Sequence, residues 1–293
     1  MLFRSEWERP PSHRAISELE RLAYERHAHD LANGHARGLW FDDAAALRAI
    51  RLVETYCRHW KGEWAGRRLV LEPWQRFVVA CLFGWKRADG RRRFRVVYLQ
   101  MARKNGKTLL LAAIGILLLV ADAEPGAEVY CAATKREQAK RLFDDAAAMV
   151  RRSPELSRFC EVHGGRRNSK TDNIFVERLG AFMEPLSADY NTMDGLNVHA
   201  GLVDELHAHR DGGVWDALET GTGARRQPVM AAITTPGAGE SGPCWDLRQY
   251  TELVLRGSAT GSGADATFGY VCEPDKAAAS TSVAGQAVRK QRC

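Results

Sequence analysis

One segment constrains the fold of this chain more than any other: a strand, a tight loop and a helix between Phe94 and Ala121. Residues 96–99 form a continuous apolar and aromatic run, the pattern of a strand that is covered on both faces. Residues 108–120 contain no proline and are rich in leucine and alanine, which are good helix formers. The sequence therefore predicts an α/β fold built on a buried, mostly parallel sheet.

The loop between this strand and helix has the composition of a phosphate-binding site. Asn105-Gly106-Lys107-Thr108 is the closing half of the motif G-x-x-x-x-G-K-[ST], and Met101 stands where the motif has its first glycine. Gly106 would let the backbone approach phosphate oxygens, and N–H groups at the helix start would point at the anion. Lys107 would contact the β- and γ-phosphates, and the Thr108 hydroxyl would bind Mg²⁺. The alternative is a basic turn before a core helix.

Two adjacent acids follow a second apolar strand that begins at Val198. Asp204 would hold the water shell of Mg²⁺, and Glu205 would act as general base on the attacking water. The distance in sequence from Lys107 leaves room for intervening strand–helix units of a parallel sheet. A solvated acidic turn is the alternative, and the phosphate loop upstream favours the catalytic interpretation.

A third apolar strand, residues 228–233, ends in Thr234-Thr235 before a Pro-Gly turn. The two hydroxyls are placed to sense a γ-phosphate from the next strand and to pass its loss to another domain. A threonine-capped turn is the alternative, and the residue types alone favour it.

Together these motifs resemble the ATPase half of the large terminase subunit of tailed phages, the motor that packages DNA into a capsid. Seven short segments carry the resemblance, in the order and spacing of that family, between about Leu39 and Tyr250. They are Leu71–Gln75, Ala102–Thr108, Ala132–Ala139, Met193–Leu196, Leu202–His207, Gly221–Arg225 and Ile233–Gly237.

The resemblance implies a RecA-like P-loop core that hydrolyses ATP with Mg²⁺. The nucleotide-binding residues that it implies are Gln75, near the adenine, and the loop residues Ala102, Arg103, Lys104, Asn105, Gly106, Lys107 and Thr108. The catalytic residues are Glu205, Lys107, Thr234 and Thr235, the threonines being the coupling motif, and the metal-binding residues are Thr108 and Asp204. The implied partners are double-stranded DNA, the small terminase subunit, the portal protein and further copies of the chain. An arginine finger is not assigned, with Arg103 and Lys104 as candidates.

Three regions are predicted along the chain. Residues 1–68 form a helical lead-in, which Trp60, Trp64 and Trp74 pack onto the core, and residues 69–256 form the ATPase domain. Residues 257–293 are rich in glycine, serine and alanine and are predicted to be a linker-like tail that contains one last strand, 267–272. The nuclease domain of the family would follow, but no acid cluster is present after Gly237, so we expect no DNA cleavage by this chain.

Basic residues concentrate in two places. Six of them surround an Asp-Gly turn at 89–90: Lys86, Arg87, Arg91, Arg92, Arg93 and Arg95. The second group is Arg166, Arg167 and Lys170. Each is either a solvated loop or a contact to the DNA backbone, and the formal net charge of +6 agrees with both.

The remaining composition bears on location and metal binding. The seven cysteines are scattered, which favours reduced thiols in a cytoplasm. The longest apolar run, 109–121, is shorter than the roughly 20 residues that cross a bilayer, so no membrane association is expected. His207-Ala-His209 with Asp211 resembles a metal cluster, but its place directly after Glu205 favours a positioning or structural role.

Two alternatives remain beside a packaging ATPase. A helicase-like DNA translocase shares the same core but needs a second RecA-like domain, for which too few residues follow Gly237. An inactive prophage remnant would retain the motifs without turnover. ATP hydrolysis by the purified chain separates the last alternative from the other two.

Overall fold

The predicted parallel sheet forms the centre of the protein, described here from a computed structural model that covers residues 8–11, 15–164, 172–186, 195–236 and 240–273. Its strands are β1 (Leu39–Phe41), β2 (Trp85–Arg87), β3 (Val96–Gln100), β4 (Glu128–Ala132), β5 (Glu161–His163), β6 (Asn173–Val176), β7 (Ala181–Pro185), β8 (Val198–Asp204), β9 (Val229–Thr234) and β10 (Thr267–Val271).

Eight of these strands form one sheet in the order β10-β3-β9-β8-β4-β7-β6-β5. All neighbouring pairs from β10 to β7 are parallel, whereas β6 and β5 extend the sheet antiparallel. Strands β1 and β2 form a separate antiparallel pair. The α/β fold with a RecA-like, mostly parallel core is therefore confirmed.

The helices of the described residues cover both faces of the sheet and its β10 edge. They are α1 (Glu18–Asn33), α2 (Asp43–Tyr56), α3 (Pro73–Gly84), α4 (Lys107–Val120), α5 (Arg136–Arg151), α6 (Gly213–Thr220), α7 (Pro243–Leu255) and α8 (Ser262–Asp265). Within that part of the chain, none of the helices combines the length and apolar character that crossing a membrane requires.

The helix that follows the phosphate loop is buried along most of its length. Almost every side chain of α4 from Leu110 to Leu119 is inaccessible to solvent, as expected for an apolar helix enclosed by other elements. Gly115 allows close packing on the sheet, because a Cβ there would lie 2.7 Å from Leu202 Cδ1 and 2.9 Å from Met183 Cε. This close packing fixes the start of α4 relative to β8.

The N-terminal helices share the core of the sheet. Ser17, the N-cap of α1, donates its hydroxyl to the carbonyl of Val271 in β10 at 2.8 Å, and Tyr24 stacks on Phe77 of α3. Among the three tryptophans predicted to pack this region, Trp74 is buried and Trp60 donates to Asp145 Oδ1 at 2.6 Å.

The prediction is wrong for the remaining tryptophan, Trp64, whose side chain is 51% exposed. It lies at the end of a hairpin, residues 57–69, that leaves the core and returns to it. Leu69 N–H donates to the Cys57 carbonyl at 2.9 Å and closes the hairpin at its base. The intervening residues 61–68 are exposed, and the Trp64 ring lies against Arg67 of the same hairpin, whose guanidinium carbon is 5.0 Å from the ring centroid.

The last predicted strand is present as β10, which pairs in parallel with β3 at the edge of the sheet. The predicted domain boundary at residue 257 places this strand in the linker-like tail. In the structure the strand belongs to the central sheet. Phe268 and Tyr270 are buried beneath α1 and α3, and this burial stabilises the strand. The glycine- and serine-containing residues 257–261 connect α7 to α8, which leads into β10.

Two of the arginines around the Asp-Gly turn are buried, so the prediction of a solvated or DNA-binding loop is wrong for them. Arg92 Nη1 lies 2.8 Å from Asp122 Oδ2. Arg93 Nη2 lies 2.7 Å from Asp30 Oδ2 and 3.3 Å from Asp265 Oδ1. Arg91, by contrast, is partly exposed and pairs with Asp89 within the turn.

These ion pairs predict very different effects for two neighbouring arginines. Arg93→Ala should lower the free energy of unfolding by about 3 kcal/mol, because it removes a buried cation and leaves Asp30 and Asp265 to share the more exposed Arg37. Arg91→Ala, the matched control, should change it by less than about 1 kcal/mol. Urea unfolding followed by circular dichroism measures both, and equal unfolding midpoints for the two variants would contradict the assignment.

Candidate nucleotide-binding site

Three adjacent strands bring the predicted motifs to one edge of the sheet. Strand β9 lies between β3 and β8, and all three are parallel, so their carboxyl ends meet. Gln100 at the end of β3 pairs with Thr234, and Ile233 pairs with Asp204 at the end of β8. The phosphate loop, the threonine pair and the acid pair therefore adjoin one another, at the edge where ligands bind in open α/β sheets.

The loop after β3 has the geometry of an anion cradle despite its missing glycine. Met101 is buried, and its N–H donates to the Thr234 carbonyl at 3.1 Å, so this position continues the strand. Lys104 and Gly106 have positive φ angles of 69° and 72°, and Gly106 is the N-cap of α4. The first N–H groups of α4 consequently face out of the helix start, where they can bind an anion.

A hydrogen bond joins the phosphate loop to the acid pair. Thr108 Oγ1 donates to Asp204 Oδ2 at 2.9 Å. The other carboxylate oxygen, Asp204 Oδ1, is buried and has no hydrogen-bond partner among the described residues. Burial raises the pKa of Asp204 to about 6, although the Thr108 hydroxyl acts in the opposite direction. A carboxylate with one free buried oxygen beside a hydroxyl fits the oxygen-ligand set of Mg²⁺.

Lys107 and Glu205 lie opposite each other across this edge. The Lys107 side chain is only 6% exposed, and its Nζ lies 3.8 Å from Glu205 Oε1. Burial lowers the pKa of Lys107, while the neighbouring carboxylates of Glu205 and Asp204 act against that shift. Glu205 has a left-handed backbone with φ 53°, a conformation that is uncommon for residues other than glycine and that often occurs at functional sites.

The threonine pair contacts the segment that follows the acids. Thr234 is fully buried and accepts a hydrogen bond from the His207 N–H at 3.1 Å, and His207 Nδ1 lies 2.9 Å from its hydroxyl. Thr235 Oγ1 donates to Glu205 Oε2 at 3.4 Å. The two threonines thus do more than cap a turn. The contact between His207 and Thr234 was not predicted, because only the sheet order brings these segments together.

Gln75 lies beside the phosphate loop. It is buried in the first turn of α3, where its Oε1 accepts a hydrogen bond from the Glu72 N–H at 2.9 Å. Its Nε2 faces Gly106, since a Cβ built on that glycine would lie 3.3 Å away. In the loop itself Arg103 and Lys104 are exposed, and Asn105 Nδ2 donates to the Ala102 carbonyl at 3.0 Å.

Some predicted residues lie outside the described parts of the chain. These are Met193, Asp194 and Gly237 of the resemblance and the second basic group, Arg166, Arg167 and Lys170. Among the residues that are described, no group of three or more histidine, cysteine or acidic side chains is arranged to hold a metal ion.

Comparisons with known proteins agree with this geometry. The "Terminase, large subunit" of Enterobacteria phage HK97 is 28% identical over 198 residues, which is 66% of this chain and 37% of that protein. "Protein YmfN" of Escherichia coli K12 is 41% identical over 83 residues, 28% of this chain and 18% of that protein. The chain thus spans well under half the length of both relatives.

The crystal structure of the HK97 bacteriophage large terminase superposes with a TM-score of 0.62 at 23% identity, over 77% of this chain and 43% of that one. At this identity the likeness supports the fold alone. The family model for the terminase large subunit ATPase domain matches residues 73–253, the span from the first turn of α3 to the last turn of α7. The match covers most of the chain and includes every element of the site, so the chain belongs to the terminase large subunit ATPase domain family.

Proposed function

We propose that this chain hydrolyses ATP with Mg²⁺ and that the hydrolysis drives DNA movement during packaging. The observation that carries the proposal is the Thr108–Asp204 hydrogen bond, which places a hydroxyl and a buried carboxylate with one free oxygen at the mouth of the phosphate loop. An ATP-binding site needs that combination, because the metal is held between the loop hydroxyl and the acid at the end of a neighbouring strand.

The chain's own residues have distinct roles in this proposal. The N–H groups at the start of α4 and the Lys107 ammonium bind the phosphates. Gln75, which lies beside the phosphate loop, contacts the adenine. Thr108 and Asp204 hold Mg²⁺, which neutralises charge on the phosphates when it is bound. Glu205 accepts a proton from the attacking water. Thr234 and Thr235 report the state of the site through their contacts with His207 and Glu205.

Lys107 and Glu205 must exchange partners for this reaction. Lys107 Nζ lies 3.8 Å from Glu205 Oε1, so each side chain partly neutralises the charge of the other. When the Lys107 ammonium turns to the phosphates, the Glu205 carboxylate loses that cation and becomes a better base for water. Binding and activation of the base are thereby linked in the proposed cycle.

DNA contact is proposed for the exposed hairpin, residues 57–69. The buried arginines Arg92 and Arg93 are excluded as DNA contacts, whereas this hairpin has four basic side chains against a single acidic one: Arg58, Lys61, Arg67, Arg68 and Glu63. Lys61 is fixed by Asp145 at 3.2 Å, and Arg67 lies over the exposed Trp64 ring at 5.0 Å. An ordered, basic surface of this kind suits a phosphate backbone.

The other assignments of the complete protein are also proposals. Double-stranded DNA, the small terminase subunit, the portal protein, further copies of the chain and a cytoplasmic location belong to the packaging role. DNA cleavage is not part of the proposed activity. ATP turnover by the purified chain separates this function from that of an inactive remnant.

Lys107→Ala should abolish ATP hydrolysis while the fold remains intact. The ammonium is the only side-chain cation buried at the mouth of the phosphate loop in the described chain, so its loss removes charge stabilisation from the transferring phosphate. Phosphate release measures turnover, and circular dichroism checks folding. Arg91→Ala, a partly exposed cation far from the loop, is the control and should keep full activity. Unchanged turnover in Lys107→Ala would remove the phosphate-loop assignment.

The adjacent acids should separate into two roles. Glu205→Gln should bind ATP with Mg²⁺ normally but hydrolyse it about 10²- to 10⁴-fold more slowly, because only the base is lost. Asp204→Asn should instead raise the Mg²⁺ concentration needed for half-maximal turnover, because a charged metal ligand is lost. Equilibrium binding of a fluorescent ATP analogue and Mg²⁺ titrations of turnover distinguish them. Equal loss of nucleotide binding in both variants would show that the roles are not divided.

The hairpin should matter for DNA but not for ATP. Arg67→Ala/Arg68→Ala should reduce DNA-stimulated turnover and flatten the salt dependence of DNA binding by about 0.9 in log–log slope for each lost phosphate contact. Basal turnover should not change. Arg48→Ala/Arg51→Ala, two exposed arginines on α2, is the matched control. If both double variants bind DNA like the parent chain, the hairpin is not the contact.

A further inference from the structure

One nitrogen of His207 lies within reach of three different groups. Nδ1 is 2.9 Å from the Thr234 hydroxyl, 3.2 Å from Glu205 Oε2 and 3.4 Å from the Thr235 hydroxyl. Two of these groups belong to the threonine pair at the end of β9, and the third is the proposed general base. His207 is therefore in direct contact with the threonine pair at the end of β9 and with the general base that follows β8.

The three contacts cannot all be hydrogen bonds at once. A ring nitrogen either donates one hydrogen or accepts one, whereas an ionised carboxylate only accepts. When Nδ1 carries the hydrogen it donates to Glu205, and the Thr234 hydroxyl donates to the Thr235 carbonyl at 3.2 Å. When the Thr234 hydroxyl instead donates to Nδ1, the ring must carry its hydrogen on Nε2, and Glu205 loses its donor from His207. Exchange with solvent allows this change, because the His207 side chain is 24% exposed. The hydrogen-bond partner of one buried hydroxyl is thus coupled to the tautomer of His207 and to whether the base is held.

We propose that His207 is a positioning residue that fixes the Glu205 carboxylate according to the state of the Thr234 hydroxyl. The inference rests on the proposed ATPase function and adds a regulatory link to the same site. His207 acts through Glu205 and contacts neither the phosphate loop nor Asp204 through any hydrogen bond in the described structure.

Glu205 needs such a partner because little else holds it. Its side chain is 34% exposed, its backbone is left-handed, and its cationic neighbour Lys107 lies 3.8 Å away. Once Lys107 binds phosphates, His207 and the longer contact from Thr235 are the groups that still orient the carboxylate.

Thr234 is a suitable sensor because its position is set by the sheet. It is fully buried, pairs with Gln100 at the end of β3 and receives the His207 N–H, so its hydroxyl has few orientations available. A small shift at the end of β9 changes the hydroxyl's partner and thereby the position of Glu205. Through the contact between Thr234 and His207, the position of strand β9 would control when hydrolysis occurs.

Four variants test the proposal in the full chain. His207→Ala should lower kcat by about tenfold to a hundredfold, because a misplaced base costs that much, and should leave the KM for ATP unchanged. His207→Asn should recover most of kcat, since its amide occupies the place of Nδ1. His207→Gln, whose amide reaches the place of Nε2, should not. His209→Ala, in the same short turn but without a hydrogen bond to Glu205 or Thr234, is the control and should keep kcat.

A second measurement does not depend on turnover. Urea unfolding midpoints of His207→Ala, Thr234→Val and the double variant should not add, because the two side chains contact each other. Equal kcat for His207→Ala and the parent, equal loss in the Asn and Gln variants, or additive midpoints would each overturn the inference. A parent chain that binds ATP without hydrolysing it would instead overturn the proposed function. In that case the unfolding midpoints would still show whether His207 and Thr234 are coupled, so the two failures can be told apart.

Discussion

The site depends on the order of three strands, because only that order allows Thr108 to reach Asp204. These residues are far apart in sequence, yet their oxygens lie 2.9 Å apart once β8 and β3 are separated by a single strand. The hydrogen bond ties the first turn of α4 to the end of β8. Close packing of α4 on the sheet at Gly115 holds the two elements in register, so core packing and site geometry have the same cause.

The β10 edge of the sheet depends on charge as well as on apolar burial. Arg93 is 1% exposed and pairs with Asp30 of α1 and with Asp265, which precedes β10. Its guanidinium group also lies over the aromatic rings of Trp85 and Phe94. Because a buried cation is costly without partners, the pairs specify one docking of α1 and β10 against β3. The N-terminal helices are therefore part of the same core as the nucleotide site.

Local sequence patterns predicted the strand–loop–helix segment and the strands that end in acids and threonines. Hydrophobic periodicity and residue composition determine such elements within a few neighbouring residues. They did not predict the burial of Arg92 and Arg93, whose partners Asp122, Asp30 and Asp265 are distant in sequence. For the same reason β10 was placed in a tail: the glycines and serines before it indicate a flexible connection, while the burial of Phe268 and Tyr270 depends on α1 and α3. Met101 departs from the loop motif, which has a glycine at this position. The structure explains why methionine is accommodated there, since its side chain is buried in the core.

The charged and polar groups of the site form a series of contacts with one another. Lys107 faces Glu205, Glu205 faces His207, and His207 faces Thr234. Asp204 Oδ1 differs, since it is buried without a hydrogen-bond partner in the described chain. Binding of a phosphate and a divalent cation would remove that deficit and at the same time release Glu205 from Lys107. In the proposed cycle, the free energy gained at Asp204 and at the helix start would offset the loss of the Lys107–Glu205 pair, so that Glu205 would be free to act as the base only once a nucleotide is bound.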